Sequence, residues 1–340
     1  MAGAVLLESA SGRVLARTQP SLKSVFASAA AKYMVPKELL MAMGYVNTLW
    51  EMPPPGASDY EPGDLHGRGT YGIMQLVQTP WEDTLGKAAA LTGLSEGRLK
   101  TSRAVNVQGG AAVLASIVGN DKPSELDGWY EAVAEYGGGD LYAQEVFQTL
   151  KSGARASIST GERLELAPQE VEVPQLYTAQ SSANYRRALW RPAYHGNRTN
   201  SNRGVGIIDF IVIHIAQGSY SGTINWFKDP RANVSAHYVV GRRGQIAQCV
   251  HNKDIAWHAG NWRYNKKSIG IEHAGFAGNR WTRRMYRSSA KLSAYLCRQF
   301  NIPVHHRYIF GHRHVPGVAT RCPGPRFNRR RYLRLVRRYK

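Results

Sequence analysis

The chain has 340 residues, 43% of them hydrophobic, and a formal net charge of +20. That is room for two globular domains. It excludes a disordered polyelectrolyte, and no apolar run approaches the ~20 residues that a membrane-crossing helix needs. The charge is uneven: residues 1–155 hold 13 Lys/Arg against 16 Asp/Glu, residues 156–340 hold 31 against 8, and from Ala274 onward there is no acidic residue.

Taken in chain order, Met1 to Ala16 lacks the basic start and long apolar run of a signal peptide, so no export route is predicted. Over residues 20–153 the segments SVFASAAAKYMV, KELLMAMGYVNTLWE, PWEDTLGKAAALTG, VNVQGGAAVLASIVG and WYEAVAEYGGGDLYAQEVFQTLKSG carry apolar residues three or four apart and predict a helical domain. A Pro- and Gly-rich loop, EMPPPGASDYEPGDLHGRGT, separates the second from the third. Residues 154–183 are polar and read as a linker. The pattern then changes: IIDFIVIHIA and KSIGIEHAGF are strand-like, AHYVVGRRGQIAQCV reads as a hairpin around Arg243-Gly244, and TINWFKDP and SSAKLSAYLCRQF are helical. Residues 184–325 are therefore expected to form a mixed sheet with flanking helices, giving an α+β protein of two domains. The end, RFNRRRYLRLVRRYK over 326–340, reads as a basic tail that attracts anionic polymer, with no nucleic-acid motif behind the charge.

Ten of the eleven histidines lie after residue 194. His214 ends an apolar strand, His312 and His314 follow the short strand of YIFGHRHVPG, and Cys322 stands in RCPGP. Two imidazoles and a thiolate suit zinc, and three protein ligands leave a fourth position open for catalysis. Glu272 lies inside the apolar strand SIGIEHAG, where a carboxylate costs several kcal/mol unless it has a partner or a role as general base. The remaining cysteines, Cys249 and Cys297, read as buried small hydrophobes, since three cysteines make no disulfide framework, with a Cys249–Cys297 bridge as the alternative in an exported protein.

The stretches FIVIHIAQGSYSGTINWF, VSAHYVV, DIAWHAGNW, SIGIEHAG and GHRHVPGVATRCPGP, in that order, resemble the zinc N-acetylmuramoyl-L-alanine amidases, a family that includes peptidoglycan recognition proteins and phage amidases. The resemblance implies zinc on His214, His312 and Cys322, with His314 as the competitor for the second place, and Glu272 as the proton-transfer group. It implies a substrate groove lined by Trp257, His258, His237 and Thr320, with His258 near the scissile carbonyl. Two family positions differ: Ala236 stands where some phage amidases carry a catalytic Tyr, and Thr320 where they carry a Lys. The implied reaction is hydrolysis of the amide between N-acetylmuramic acid and L-alanine in peptidoglycan, outside the cell or in the wall, in a host enzyme or a phage endolysin.

LLMAMGYVNTLWE, YGIMQL, NVQGGAAVLASI and AVAEYGGG resemble, in order, the landmarks of the lysozyme-like transglycosylases. The family's catalytic glutamate is Asn47 here, its next residue Thr48, and a later Tyr-Asn pair is Tyr136-Gly137. An amide cannot protonate a glycosidic oxygen, so a non-catalytic glycan-binding module is expected, with Tyr45, Trp50 and Tyr71 as stacking faces. Glu51, one helical turn beyond Asn47, is the residue that would make the protein bifunctional. The reading from another class is a peptidoglycan-binding protein without turnover.

Overall fold

The computed structural model describes residues 20–174 and 182–340; the reading of Met1 to Ala16 lies outside them. In the first half, α1 (Leu22–Tyr33) starts at Ser21, whose hydroxyl accepts the Ser24 N–H. Helix α2 (Lys37–Thr48) stops where Leu49 and Trp50 take left-handed φ values of 61° and 65°. The short pair β1 (Thr70–Tyr71) and β2 (Leu76–Val77) follows, then α3 (Thr84–Thr92), α4 (Glu96–Thr101), α5 (Arg103–Val118), α6 (Tyr130–Tyr136) and α7 (Asp140–Ser152). Helix α5 is apolar on nearly every face and is buried among α1, α3, α4 and α6.

Three expectations for this half are corrected. Trp50 is no stacking face: it is fully buried, and its indole N–H donates to the Met41 carbonyl at 2.7 Å. Glu51 does not share a helical face with Asn47, because the helix has already ended; its carboxylate accepts the Ser159 N–H at 2.8 Å and hydroxyl at 2.7 Å. The start of the expected linker is structured. Strands β3 (Ala154–Ser157) and β4 (Arg163–Leu166) pair antiparallel, and Ile158, Leu164, Leu166 and Val171 complete the helical core. The alternation in RLEL is too short to stand out from its polar surroundings.

The second half contains β5 (Leu189–Trp190), β6 (Arg198–Thr199), β7 (Phe210–Ile213), α8 (Tyr220–Lys228), β8 (Tyr238–Val240), β9 (Ile246–Gln248), β10 (Ile255–Ala256), α9 (Trp262–Lys267), β11 (Ser268–His273), α10 (Arg283–Gln299), β12 (Ile309–Gly311) and α11 (Arg329–Tyr339). Six strands form one mixed sheet in the order β12-β7-β11-β8-β9-β5, while β6 and β10 pair separately. Strands β12, β7, β11 and β8 are mutually parallel; the β8–β9 hairpin expected around Arg243-Gly244 is antiparallel. Every residue of β11 is buried, as in a parallel strand covered on both faces.

The basic end is also corrected: it is a helix of the domain and not a tail. Tyr332, Leu333 and Val336 recur at helical spacing and bury against α10, while Arg330, Arg334, Arg337 and Arg338 face solvent. The Tyr332 hydroxyl meets Ser289 Oγ at 2.6 Å and Ser293 Oγ at 2.7 Å. Ser289 Oγ in turn meets His273 Nε2 at 2.7 Å, and His273 Nδ1 lies 2.9 Å from the His214 carbonyl. The last helix is thus tied by hydrogen bonds to the backbone of a candidate ligand. Cys249 and Cys297 are buried free thiols.

The halves are bonded to one another. The Glu145 carboxylate of α7 accepts the Ser221 N–H of α8 at 3.0 Å, and Arg243 donates to Thr149 Oγ1 at 2.8 Å. A cavity of about 170 Å³ lies between them, with Asn47, Tyr136 and Tyr142 on one side and Ser219, Asn225 and Trp226 on the other.

Candidate metal centre

Strand register builds the site. Gly311, Ile213 and Ile271 stand side by side at the carboxyl ends of β12, β7 and β11. The next residue on each strand is His312, His214 and Glu272. Parallel strands in register present such residues at the same height and on the same face of the pleat. Three apolar strands therefore deliver two imidazoles and a carboxyl to one edge, and the loop after β12 returns Cys322 to it. The ligand atoms of His214, His312 and Cys322 lie within 4.8 Å of one another. Glu272 Oε1 is 3.8 Å from His214 Nδ1.

Outer contacts decide which ring nitrogens point inward. His214 Nε2 lies 3.1 Å from His258 Nδ1, and His258 Nε2 lies 3.2 Å from Ser268 Oγ, which donates to the Tyr264 carbonyl at 2.5 Å. Reading the chain outward, His214 Nε2–H donates to His258 and His258 Nε2–H donates to Ser268, so His214 Nδ1 keeps its lone pair. His312 Nε2 donates to the Ala259 carbonyl at 3.1 Å, and its Nδ1 has no partner among the described residues. The Ile215 N–H donates to Cys322 Sγ at 3.3 Å. Oriented imidazoles with their outer N–H groups satisfied are the usual support of metal ligands.

The electrostatics of the cluster suit a cation-binding site. Burial, then the neighbouring His312 and His258, hold His214 well below the ordinary imidazole range. Burial takes His312 down to about 4. Burial, then Glu272, hold the Cys322 thiol well above its ordinary value. Burial pushes the Glu272 carboxyl up to about 7 against the opposing pull of His66 and Arg68. Neither Glu272 oxygen has a hydrogen-bond partner at bonding distance and angle among the described residues, the His273 N–H acting only as a favourable dipole. Neutral imidazoles are ready ligands, and a thiol held protonated by burial and a carboxyl raised toward neutrality are groups whose ionised forms a cation would favour. The donor set fits a zinc ion.

The other expected residues fall in different places. His314 is exposed, with Nδ1 near the Gly311 carbonyl, and does not join the cluster. His258 is corrected: it is 1% exposed and stands behind His214 as its hydrogen-bond partner, not in a groove. His237 is corrected likewise: it is fully buried, and its Nδ1 accepts the Gly270 N–H at 3.0 Å. Trp257 is half-buried and donates from its indole to Thr199 Oγ1 at 3.0 Å. Thr320 Oγ1 accepts the Cys322 N–H at 3.2 Å and so shapes the turn that presents the thiol. Gly270 is required by His258, since a Cβ there would run into the imidazole ring. Gly270→Ala is expected to cost about 1–3 kcal/mol of stability, the usual penalty of overpacking, and to weaken metal binding through His214. Thermal unfolding with and without added Zn²⁺ checks both.

His66 and Arg68 escaped the sequence reading. They lie in the Pro- and Gly-rich loop of the first half, yet His66 Nε2 is 2.8 Å from the Ile215 carbonyl and Arg68 donates to the Gln217 carbonyl and, at 3.2 Å, to Thr223 Oγ1. One signal was present: His66 is the sole histidine before residue 194.

A mixed sheet whose parallel strands end in two imidazoles and a carboxyl, with a thiol brought back by a loop, has the make-up of a metal-ion hydrolase centre. Residues 204–325 match the family described as N-acetylmuramoyl-L-alanine amidase. The chain is 37% identical over 119 residues to N-acetylmuramoyl-L-alanine amidase A of Achromobacter lyticus, covering 34% of this chain and 64% of that protein. It is 32% identical over 133 residues to 1,6-anhydro-N-acetylmuramyl-L-alanine amidase AmpD of Citrobacter freundii, covering 34% of this chain and 68% of the relative. A solved AmpD structure, a selenomethionine derivative, is similar at 26% identity and a TM-score of 0.37, over 45% of this chain and 96% of that one. The chain belongs to the N-acetylmuramoyl-L-alanine amidase family. It spans less than two thirds of the length of the Achromobacter relative.

Proposed function

We propose that the protein is a zinc-dependent peptidoglycan hydrolase that cleaves the amide between N-acetylmuramic acid and the L-alanine of the stem peptide. The observation that carries this reading is the buried cluster His214, His312 and Cys322 with the Glu272 carboxyl 3.8 Å from His214 and, among the described residues, without a hydrogen-bond partner. A structural carboxylate in such a place would be paired; an unpaired one is arranged for proton transfer.

His214 Nδ1, His312 Nδ1 and Cys322 Sγ would hold a zinc ion, which would supply the Lewis acidity that an unactivated amide needs. Glu272 takes a proton from the attacking water and returns it to the departing alanine amine, and a carboxyl raised by burial is suited to doing both near neutral pH. His258 holds the His214 ring in its tautomer, and Thr320 holds the turn that carries Cys322. The products are a glycan with a free lactyl carboxylate and a free stem peptide.

The helical half is read as a lysozyme-like module that binds glycan without cleaving it. Asn47 lines the cavity between the halves, and Glu51 is engaged by Ser159, so neither supplies an acid. The arginine face of α11 suits anionic wall polymer, and action outside the cell or in the wall fits these substrates. The test is digestion of purified peptidoglycan with parallel assays for new amines and new reducing ends. Amines without reducing ends, abolished by chelator, are expected. Reducing ends alone would refute the reading, and neither product would leave a binding protein.

A further inference from the structure

The loop between α2 and β1 is where the helical half comes nearest the metal centre. It is firmly seated there. Trp226 donates its indole N–H to the Asp64 carbonyl at 3.0 Å, the Gly63 N–H donates to the Ala232 carbonyl at 2.8 Å, and Leu65, 5% exposed, joins the core of the sheet half. From that seat two side chains reach the segment that leaves β7. His66 holds the Ile215 carbonyl, and Arg68, 7% exposed, holds the Gln217 carbonyl. Ile215 follows His214 and gives its N–H to Cys322 Sγ. Gln217 sits at a left-handed φ of 52°, and at Gly218 a Cβ would run into the Arg68 guanidinium. On the far side His66 is itself held, its Nδ1 lying 3.3 Å from Asp64 Oδ1.

We propose that Asp64–Arg68 is a built part of the metal centre, in which His66 and Arg68 are positioning residues that set the backbone from His214 to Gln217, so that amide hydrolysis draws on both halves of the chain. This rests on the amidase reading above. The physical reason is that the β11 side of this segment is held by the His214, Ala216 and Gly218 N–H groups donating to Ile271, His273 and Gly275, while on the other side the pairing with β12 ends at Ile213 and the Ile215 and Gln217 carbonyls need other donors; ligands and base must be held to about half an ångström. Two donors from a packed loop supply that restraint.

The test uses the full chain with His66→Ala, His66→Gln and Arg68→Lys, each checked for folding by thermal unfolding. Co²⁺ is the probe, because its visible bands report ligand geometry independently of turnover; kcat and KM are measured separately on a soluble muramoyl-peptide. His66→Ala is expected to shift the Co²⁺ bands and to lower kcat on the order of tenfold, the scale of lost support around metal ligands, with KM changed by less than about twofold. His66→Gln keeps an N–H for the Ile215 carbonyl and is expected to restore both. Arg68→Lys keeps the charge but loses the fork, so an intermediate kcat is expected. Unchanged bands and kcat in folded His66→Ala would overturn the proposal. So would a rise in kcat, which would make the loop a lid. A wild-type chain that releases no amine would refute the amidase reading, while the Co²⁺ bands would still decide this one.

Discussion

Glu272→Gln is expected to abolish most hydrolysis, by about 10²–10⁴-fold, the usual contribution of a positioned acid–base group, while the protein stays folded and binds metal. The same substitution is expected to stabilise the metal-free protein, with a defined pH dependence. The wild-type carboxyl is raised by burial from 4.5 to about 7. Between those values the folded state holds a proton that the unfolded state has released, so stability falls as pH rises. The cost is absent below pH 4.5 and complete above pH 7, where 2.5 pKa units correspond to about 3 kcal/mol. Gln does not titrate, and buried histidines that do not feel the Glu272 charge cancel in the difference, whereas His66, raised in part by that charge, loses this contribution in the variant. Denaturant unfolding in chelator at several pH values should show the variant pulling ahead of wild type between these limits. A constant gap would show that His66, Arg68 and His214 hold the Glu272 carboxyl ionised throughout and would contradict the upward shift.

Removing a ligand is the second large effect. Cys322→Ala and His214→Ala are expected to lower Zn²⁺ affinity by more than the ~10–100-fold that losing even an outer partner costs, and to reduce activity to that of the chelated wild type. Cys322→Asp keeps an anionic donor and should retain weaker binding. His314→Ala should change nothing at the centre, since that ring is exposed and apart from the cluster. Equilibrium dialysis against Zn²⁺, with metal counted per chain, separates these cases, and equal loss in His314→Ala and His312→Ala would contradict the assignment.

Much of this centre was legible because the strands that build it are short apolar runs. FIVI and SIGI each stop at a polar residue, and a parallel register places those stops together. The spacing of the GHRHVPG motif favours His312 over His314 through the family resemblance, and the turn after β12 buries the first and leaves the second in solvent. The roles of His258 and His237 were hidden. A histidine behind a ligand and one facing a groove look alike in sequence, and only Gly270, which makes room for the ring, distinguishes them. Glu51 misled because helical periodicity was extended past Thr48, where Leu49 and Trp50 turn the chain. In α11 net charge obscured the apolar stripe Tyr332, Leu333 and Val336. The contacts of His66 and Arg68 span about 150 positions, and local pattern carries no information at that separation.

Water is expected to add across the muramoyl–alanine amide at the edge of the β12-β7-β11 strands. Digesting peptidoglycan in H₂¹⁸O and locating the label by mass spectrometry tests this directly. The expected result is ¹⁸O in the lactyl carboxylate of N-acetylmuramic acid, with unlabelled alanine amine released in equal amount. Label at the anomeric carbon of a new reducing sugar, with the lactyl amide intact, would contradict it.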